Sequence, residues 1–516
     1  MVKRVSIVQE RAARRKARLR RLSQADAPCE RKRMTSAAQT ALLAELRERL
    51  GPRVVVEDPA DITPWLTDWR GRYHGRSAAL LAPARTEEVA EIVARATHHG
   101  VALVPQGGNS SMVGGATPPA DGSALILSLR RLNRVRSVDG MGLLGVAEAG
   151  VVLADFHAAA AAAGCRFPLT LGARGQATIG GLISTNAGGT QVLRFGTMRA
   201  LVAGIEAVLP DGQIYDGLSA LKKDNRGYDL KSLLVGAEGT LGIVTAATLR
   251  LAPAITARGV AWAGVASPTD ALALLRRMEA ATGAIESFEI LPQESLDHVL
   301  AYLPAARAPL ARRHPWHVLI EATATDPAAE PPAALLERLL APALDNGLVA
   351  DATIAANEAQ AEAFWALRDS ISAAERAQGP AVQHDISVPV AAMPRFMIDA
   401  AAACEARFPG TQASGFGHLG DGNVHFHVRA PKSADGEAWY AESAPEISRF
   451  VHDLVVAAGG SISAEHGIGQ MKRAELERLG GGARLAALRA IKAALDPLGI
   501  MNPGKLVSLA PSAPAP

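Results

Sequence analysis

"VALVPQGGNSSMVGG", residues 101–115, runs an apolar strand directly into a glycine-rich loop. Upstream, "SAALLAP" (77–83) reads as a buried strand and "TEEVAEIVARATHHG" (86–100) as a helix. Thr86 suits an N-cap, Glu87 and Glu88 favour the first turn, and Val89, Ile92, Val93 and Ala96 share one face. Gly100 closes the helix. The result is a β-α-β unit whose last strand ends in a loop without Cβ atoms, where backbone N–H groups can converge on an anion.

Two more glycine blocks follow, "GARGQATIGGLISTNAGG" (172–189) and "LVGAEGTLGIVTAATLRLAP" (234–253). Between the first and second lie the strands "LILSL" (125–129) and "LLGVAEAG" (143–150) and the helix "VVLADFHAAAAAAG" (151–164). "LVAGIEAVLPDGQIYDG" (201–217) reads as a hairpin around Asp211-Gly212. No block has the G-x-G-x-x-G form that opens a helix with an acid about twenty positions on, so a Rossmann site does not fit. The P-loop signature is absent as well. A large phosphate-bearing cofactor wrapped by several loops remains.

At 516 residues the chain is too long for one core, and at least two domains are expected. With 48% apolar and 20% charged residues it reads as globular, and no apolar run reaches membrane-spanning length. The formal charge of +3 is concentrated in one place: residues 1–33 carry +9, leaving −6 for the body. That tail has no apolar segment typical of a secretory signal. A nucleic-acid arm or a transit-like peptide fits it, but the favoured reading is a start at Met34, and no nucleic-acid partner is expected. Cys29, Cys165 and Cys404 are few and scattered, with no C-x-x-C, which suits a reducing, cytoplasmic setting. From about residue 254 glycine thins out and strand and helix patterns alternate, as in a second domain.

"GFGHLGDGNVHFHV" (415–428) holds three of the 13 histidines. With Asp421-Gly422 as the central pair of a two-residue turn, His418 faces His425 across the hairpin, within about 5 Å at Cβ. His427 projects from the same face, while Val424, Phe426 and Val428 point to the other, toward a core. Two readings stand open: a solvent-facing polar side of a sheet, or a site where two imidazoles share a metal, with Glu465 in "SAEHGIG" as a further ligand. Arg368 in "WALRDS" lies on a helical pattern and is either a solvated side chain or an anion clamp.

Five motifs in order resemble the FAD-dependent D-2-hydroxyacid dehydrogenases of the vanillyl-alcohol-oxidase flavoprotein superfamily. They are "PQGGNSSMVGGATP", "ATIGGLISTNAGGTQVLRFGTMR", "KDNRGYDLKSLLVGAEGTLGIVT", "GHLGDGNVHFHV" and "SAEHGIGQMKRAEL" with "LDPLGIMNPGK". The resemblance covers roughly residues 50–506 and implies an α/β and α+β fold. A two-lobed FAD domain (34–253) is followed by a substrate and metal domain with an antiparallel sheet and helices (254–465). A segment at 466–506 then returns to the flavin, and a disordered tail at 507–516 ends the chain.

By position, the resemblance gives Pro105, Gln106, Gly107, Gly108, Asn109, Ser110, Ser111 and Gly114 to the pyrophosphate loop. It gives Gly180, Gly181, Thr185, Asn186, Gly188 and Gly189 to the second flavin contact, Glu238, Gly239, Thr240, Gly242 and Ile243 to the third, and Asn502 to the last. Members with covalent flavin have His in the first loop. Asn109 stands in that stretch here, so non-covalent FAD is expected. His418, His425 and Glu465 match divalent-metal ligands, usually of zinc, and His466 the catalytic base. Arg368 matches the substrate-carboxylate clamp, with Ser372, Gln383 and His427 at substrate-facing positions. Gln383 replaces a usual Lys and His427 a usual Asn, which puts a dicarboxylate in doubt and makes His427 an extra ligand or a second acid/base.

The implied reaction oxidises a D-2-hydroxy acid, such as D-lactate or D-2-hydroxyglutarate, to the 2-oxo acid. The metal lowers the hydroxyl pKa, His466 takes the proton and C2 gives hydride to the flavin. Electrons then pass to a separate acceptor such as an electron-transfer protein, a cytochrome or a quinone, and a homodimer is one assembly open to the chain. Two other readings are a flavin subunit of a glycolate-oxidase-like complex and a flavin-free metal-dependent hydrolase.

Overall fold

In the computed structural model, residues 35–432 and 434–509 are described. The basic segment 1–33, Cys29 with it, and residues 510–516 lie outside them. The first sheet contains β1 (Val55–Val56), β2 (Leu80–Leu81), β3 (Ala102–Gln106) and β4 (Ala124–Ser128), in the order β1-β2-β4-β3. β2 and β3 both run parallel to β4, so the strand–helix–strand crossover leaves room for β4 between them. The crossover helix Thr86–His99 buries Val89, Ile92, Val93 and Ala96, and Gly100 ends it in the left-handed region at φ 64°. Thr86 is not its cap. Arg85 holds that position, and the Thr86 hydroxyl, already inside the first turn, donates to Glu206 Oε1 at 2.6 Å.

The second sheet is antiparallel, ordered β5-β6-β10-β8-β9: β5 (Val135–Asp139), β6 (Leu144–Glu148), β8 (Val202–Val208), β9 (Ile214–Gly217) and β10 (Ile243–Arg250). The β8–β9 hairpin turns at Asp211-Gly212 as expected, with Gly212 at φ 87°. A short pair, β7 (Cys165–Arg166) and β11 (Ala252–Pro253), stands beside it. Each sheet has its own buried apolar cluster, so the glycine blocks lie on two lobes.

The third sheet has seven strands in the order β15-β12-β14-β13-β17-β18-β16. They are β12 (Ala257–Val265), β13 (Ile285–Pro292), β14 (Trp316–Ala324), β15 (Asp351–Ile354), β16 (Ala381–Ser387), β17 (Gln412–His418) and β18 (Asn423–Arg429), all antiparallel neighbours. One face carries the large cluster that includes Val424, Phe426 and Val428; Phe416, Trp262 and Leu367 pack on the other. The chain then returns to the first lobe: Leu103 N–H donates to Ile500 O (2.8 Å), and Asn502 N–H to Leu103 O (2.8 Å). Of the tail expected to be disordered, Val507 is buried and Ser508 O accepts from Arg489, while Leu509 is exposed. No helix among the described residues is long and apolar enough to cross a membrane.

Candidate active site

The histidine hairpin is shifted from the two-residue turn. β17 and β18 pair His418 with Asn423, Phe416 with His425 and Ser414 with His427. The loop is therefore Leu419–Gly422, closed by Gly422 N–H to His418 O at 3.2 Å. The neighbouring strand causes the shift: Leu419, fully buried, donates its N–H to Phe288 O on β13 at 3.1 Å and so leaves the β17–β18 ladder. Because the pairing moves by two, the faces are unchanged. His418 and His425 are diagonal neighbours instead of direct ones, with ring centroids 5.7 Å apart. His418 and His427 are buried, which removes the solvent-facing reading.

Ligand atoms of His418, His425 and Glu465 lie within 4.8 Å of one another, and so do those of Asp385, Glu465 and His466. His427 belongs to neither group. Two imidazoles and a carboxylate suit a borderline divalent ion such as Zn²⁺. His418 is oriented by Glu289, directly opposite on β13, whose Oε1 takes the Nδ1 proton at 2.6 Å. That leaves Nε2, 3.8 Å from Glu465 Oε1, as the ligand atom. Burial alone would depress the His418 imidazole, but Glu289 reverses this and raises it to about 9. Burial pushes the Glu465 carboxyl up to about 7, a cost a bound cation would relieve.

Asp385 fixes the other half. Its Oδ2 accepts the N–H of Glu465 (2.9 Å) and of His466 (3.1 Å) and lies 3.2 Å from His466 Nδ1. Asn423 Nδ2 holds the second oxygen at 2.9 Å. Burial opposes the Asp385 charge, yet His466, Lys472 and His425 keep its carboxyl far below the usual range. Arg368 is not a solvated helix residue: it lies in the last turn of the helix Glu358–Asp369 and pairs with Glu289 at 2.8 Å, and its Nη2 reaches His418 Nε2 at 3.1 Å. Ser372 is exposed on the next helix, Ile371–Ala377. Neither Glu289 nor Asp385 was among the sequence candidates. Glu289 shares its strand with a second acid, Glu286, and Asp385 lies among Gln383, His384 and Ser387, so neither stands out in the sequence.

The glycine blocks meet one another as much as they face a ligand. A Cβ on Gly107 would come within 2.1 Å of Thr178 Oγ1, and one on Gly108 within 1.9 Å of Gln176 O. Gly180 is similarly close to Ala149, and Gly189 to Thr170 O. Asn186 is left-handed at φ 51° and its Oδ1 accepts from Thr197 Oγ1 at 3.0 Å. Asn109, at φ 53°, donates to Thr67 O at 2.9 Å. Gly181, by contrast, has no close neighbour beyond Thr178.

Three buried polar atoms on these segments have no protein partner: Gln106 Oε1, Thr178 Oγ1 and Asn502 Oδ1. They suit a polar cofactor threaded between the lobes. The cradle joins the ionisable cluster directly: the buried Glu238 carboxylate accepts Ile468 N–H and Gly469 N–H, each at 2.7 Å. Asn502 Nδ2 donates to Glu238 O at 2.7 Å.

Residues 77–217 match the family described as FAD binding domain, and 256–506 that described as FAD linked oxidases, C-terminal domain. The chain is 36% identical over 464 residues to the mitochondrial D-2-hydroxyglutarate dehydrogenase of Arabidopsis thaliana, covering 89% of this chain and 80% of that one. To the D-2-hydroxyglutarate dehydrogenase of Xanthomonas citri pv. viticola it is 36% identical over 449 residues, 87% and 93% of the two chains.

The chain belongs to the FAD-dependent D-2-hydroxyacid dehydrogenase family. It is accordingly an FAD-linked oxidoreductase acting on CH–OH donors, and the flavin-free hydrolase reading is overturned. The fold of this dehydrogenase is shared with p-cresol methylhydroxylase, at a TM-score of 0.74 and 14% identity over 93% of this chain and 98% of that one.

Proposed function

We propose that the chain oxidises a D-2-hydroxy acid to the 2-oxo acid, using a divalent ion, zinc in the first instance, held by His418, His425 and Glu465. One observation carries this reading: the metal-capable triad and the Asp385–His466 pair share Glu465's neighbourhood and are bound through Glu238 to the flavin cradle. FAD, held without a covalent bond by the 105–114, 180–189 and 238–243 segments and Asn502, supplies the acceptor for the hydride equivalent that leaves C2. The metal supplies Lewis acidity toward the substrate's hydroxyl and carboxylate oxygens.

The protein's own residues do the rest. His466 takes the hydroxyl proton as general base. Burial holds its imidazole below the ordinary value, with Asp385 opposing and Lys472 and Arg70 adding to the effect, so it is neutral and ready at pH 7. Asp385 fixes the ring and its backbone. Arg368, anchored by Glu289 at Nε and Nη2, offers its remaining terminal nitrogen to the substrate carboxylate.

Anaerobic mixing of the flavoprotein with D- and L-2-hydroxyglutarate, D-malate and D-lactate, with and without a chelator, tests this. Bleaching by D-acids alone, lost on chelation and restored by Zn²⁺, is expected. Bleaching indifferent to the chelator would remove the metal from the reaction.

A further inference from the structure

A cavity of about 650 Å³ opens beside the candidate site, lined by Arg70, Arg72 and Arg376 together with Gln383, Trp69 and Tyr440. Among the described residues, none of the three arginines is paired with a carboxylate. Arg70 Nη1 donates to Gln383 Oε1 at 2.8 Å, and its Nε is buried with no partner. The Arg72 guanidinium lies 5.6 Å from the Tyr440 ring centroid. Burial, and then the charges of Arg72 and Arg376, pull Arg70 down to about 10, so the cluster is held together against its own repulsion. Unpaired guanidinium groups converging on one cavity suit an anion.

The cavity continues the active site. Gln383 stands opposite His427 on β18, and Asp385, two residues further along β16 on the same face, contacts His466. Same-face positions on a strand are about 7 Å apart. The carboxylate carbons of an extended five-carbon diacid are about 5 Å apart, from four C–C bonds of 1.5 Å. An acid reacting beside His466 therefore brings its far end to Gln383 and Arg70. The cavity volume lies within the range of about 300–1,000 Å³ usual for ligand sites, so it does not stop at five carbons.

We propose that Arg70 and Arg376 form a second anion subsite that selects 2-hydroxy acids carrying a distal carboxylate, five carbons or longer. Arg70 reaches it from the 66–76 segment of the first lobe and Arg376 from the substrate domain, so the subsite closes only when the two are assembled. The proposal rests on the oxidation reading above, but binding tests it separately.

Two measurements on the FAD-loaded enzyme decide it, each with wild type, Arg70→Met, Arg70→Lys and Arg376→Met. In the first, flavin reduction compares D-2-hydroxyglutarate with D-2-hydroxyvalerate, which has the same chain length and one carboxylate. The methionine variants should lose about 10–100-fold in kcat/KM for the diacid, the scale of a lost charge-assisted hydrogen bond, and under about 3-fold for the monoacid. Arg70→Lys should recover most of the loss. Equal losses for both acids, or none, would overturn the subsite.

In the second, thermal melting compares glutarate, adipate and valerate, which cannot react. Both diacids should stabilise wild type more than valerate does, and Arg376→Met, at the exposed wall, should abolish the difference even if Arg70→Met fails to fold. No preference for diacids would overturn the proposal. If no hydroxy acid bleaches the flavin while the diacid preference appears and vanishes in Arg376→Met, the oxidation reading fails and the anion subsite stands.

Discussion

Asp385 Oδ2 lies 3.2 Å from His466 Nδ1 and also accepts the backbone N–H of His466 at 3.1 Å. One buried oxygen thus sets both the position of the residue and the orientation of its ring, so that Nε2 carries the basic lone pair. Asp385→Asn keeps the shape but weakens both contacts. We expect kcat to fall by about 10²-fold or more while FAD stays bound, by analogy with acids that orient catalytic histidines. Stopped-flow flavin reduction and the visible spectrum check the two parts.

With His466 as the proposed base, the same pair would set the pH profile. His466 is held below its ordinary 6.5 by burial, with Asp385 raising it in part. The base is active when unprotonated, so kcat/KM should rise with pH and level off, with its apparent pKa below about 6.5. Removing Asp385 removes the raising influence, so the limb moves to lower pH in Asp385→Asn. A limb that moved upward would contradict the arrangement.

Glu289 determines which nitrogen His418 presents. In Glu289→Gln the Nδ1 partner loses its charge and Arg368 loses its counter-ion. Metal affinity should drop about 10–100-fold, the usual effect of losing a carboxylate behind a ligating imidazole. Competition with a chromophoric chelator measures it.

His427 lies outside both metal-capable groups. Its Nδ1 is buried without a hydrogen bond, 3.8 Å from Glu375. His427→Asn should leave the bound metal unchanged, by elemental analysis, while altering KM among hydroxy acids. Loss of metal would restore His427 as a ligand.

Much of this was legible in the sequence because it depends on short-range periodicity. The apolar alternation of Val424, Phe426 and Val428 gave the buried face and placed three histidines on the other. The register was not legible, because a contact from Leu419 to Phe288, about 130 residues earlier, decides it. Several glycines expected to face the flavin were legible as close approaches, but their nearest neighbours are other loops, as Gly108 and Gln176 show. Asp385 lay inside a recognisable motif, yet nothing local tied it to His466. Arg70 is 313 positions from Gln383, and no spacing rule connects them. Gln383 therefore looked like the loss of an anion partner, although a guanidinium from another lobe stands beside it.

Glu238 joins its glycine-rich segment to the loop after His466 by accepting two N–H bonds on one buried carboxylate. Glu238→Ala leaves those donors without partners and should cost about 1–3 kcal/mol for each buried group left unsatisfied. Calorimetry should show a lower melting temperature, and FAD should be lost more readily on gel filtration.

In the proposed mechanism His466 removes the hydroxyl proton of a D-2-hydroxy acid. Anaerobic stopped-flow reduction of His466→Asn by D-2-hydroxyglutarate, with FAD and metal content matched to wild type, tests it most directly. Full FAD occupancy is expected, with reduction slowed by about 10²–10⁴-fold, the contribution typical of a general base. Reduction at a near-normal rate would contradict it.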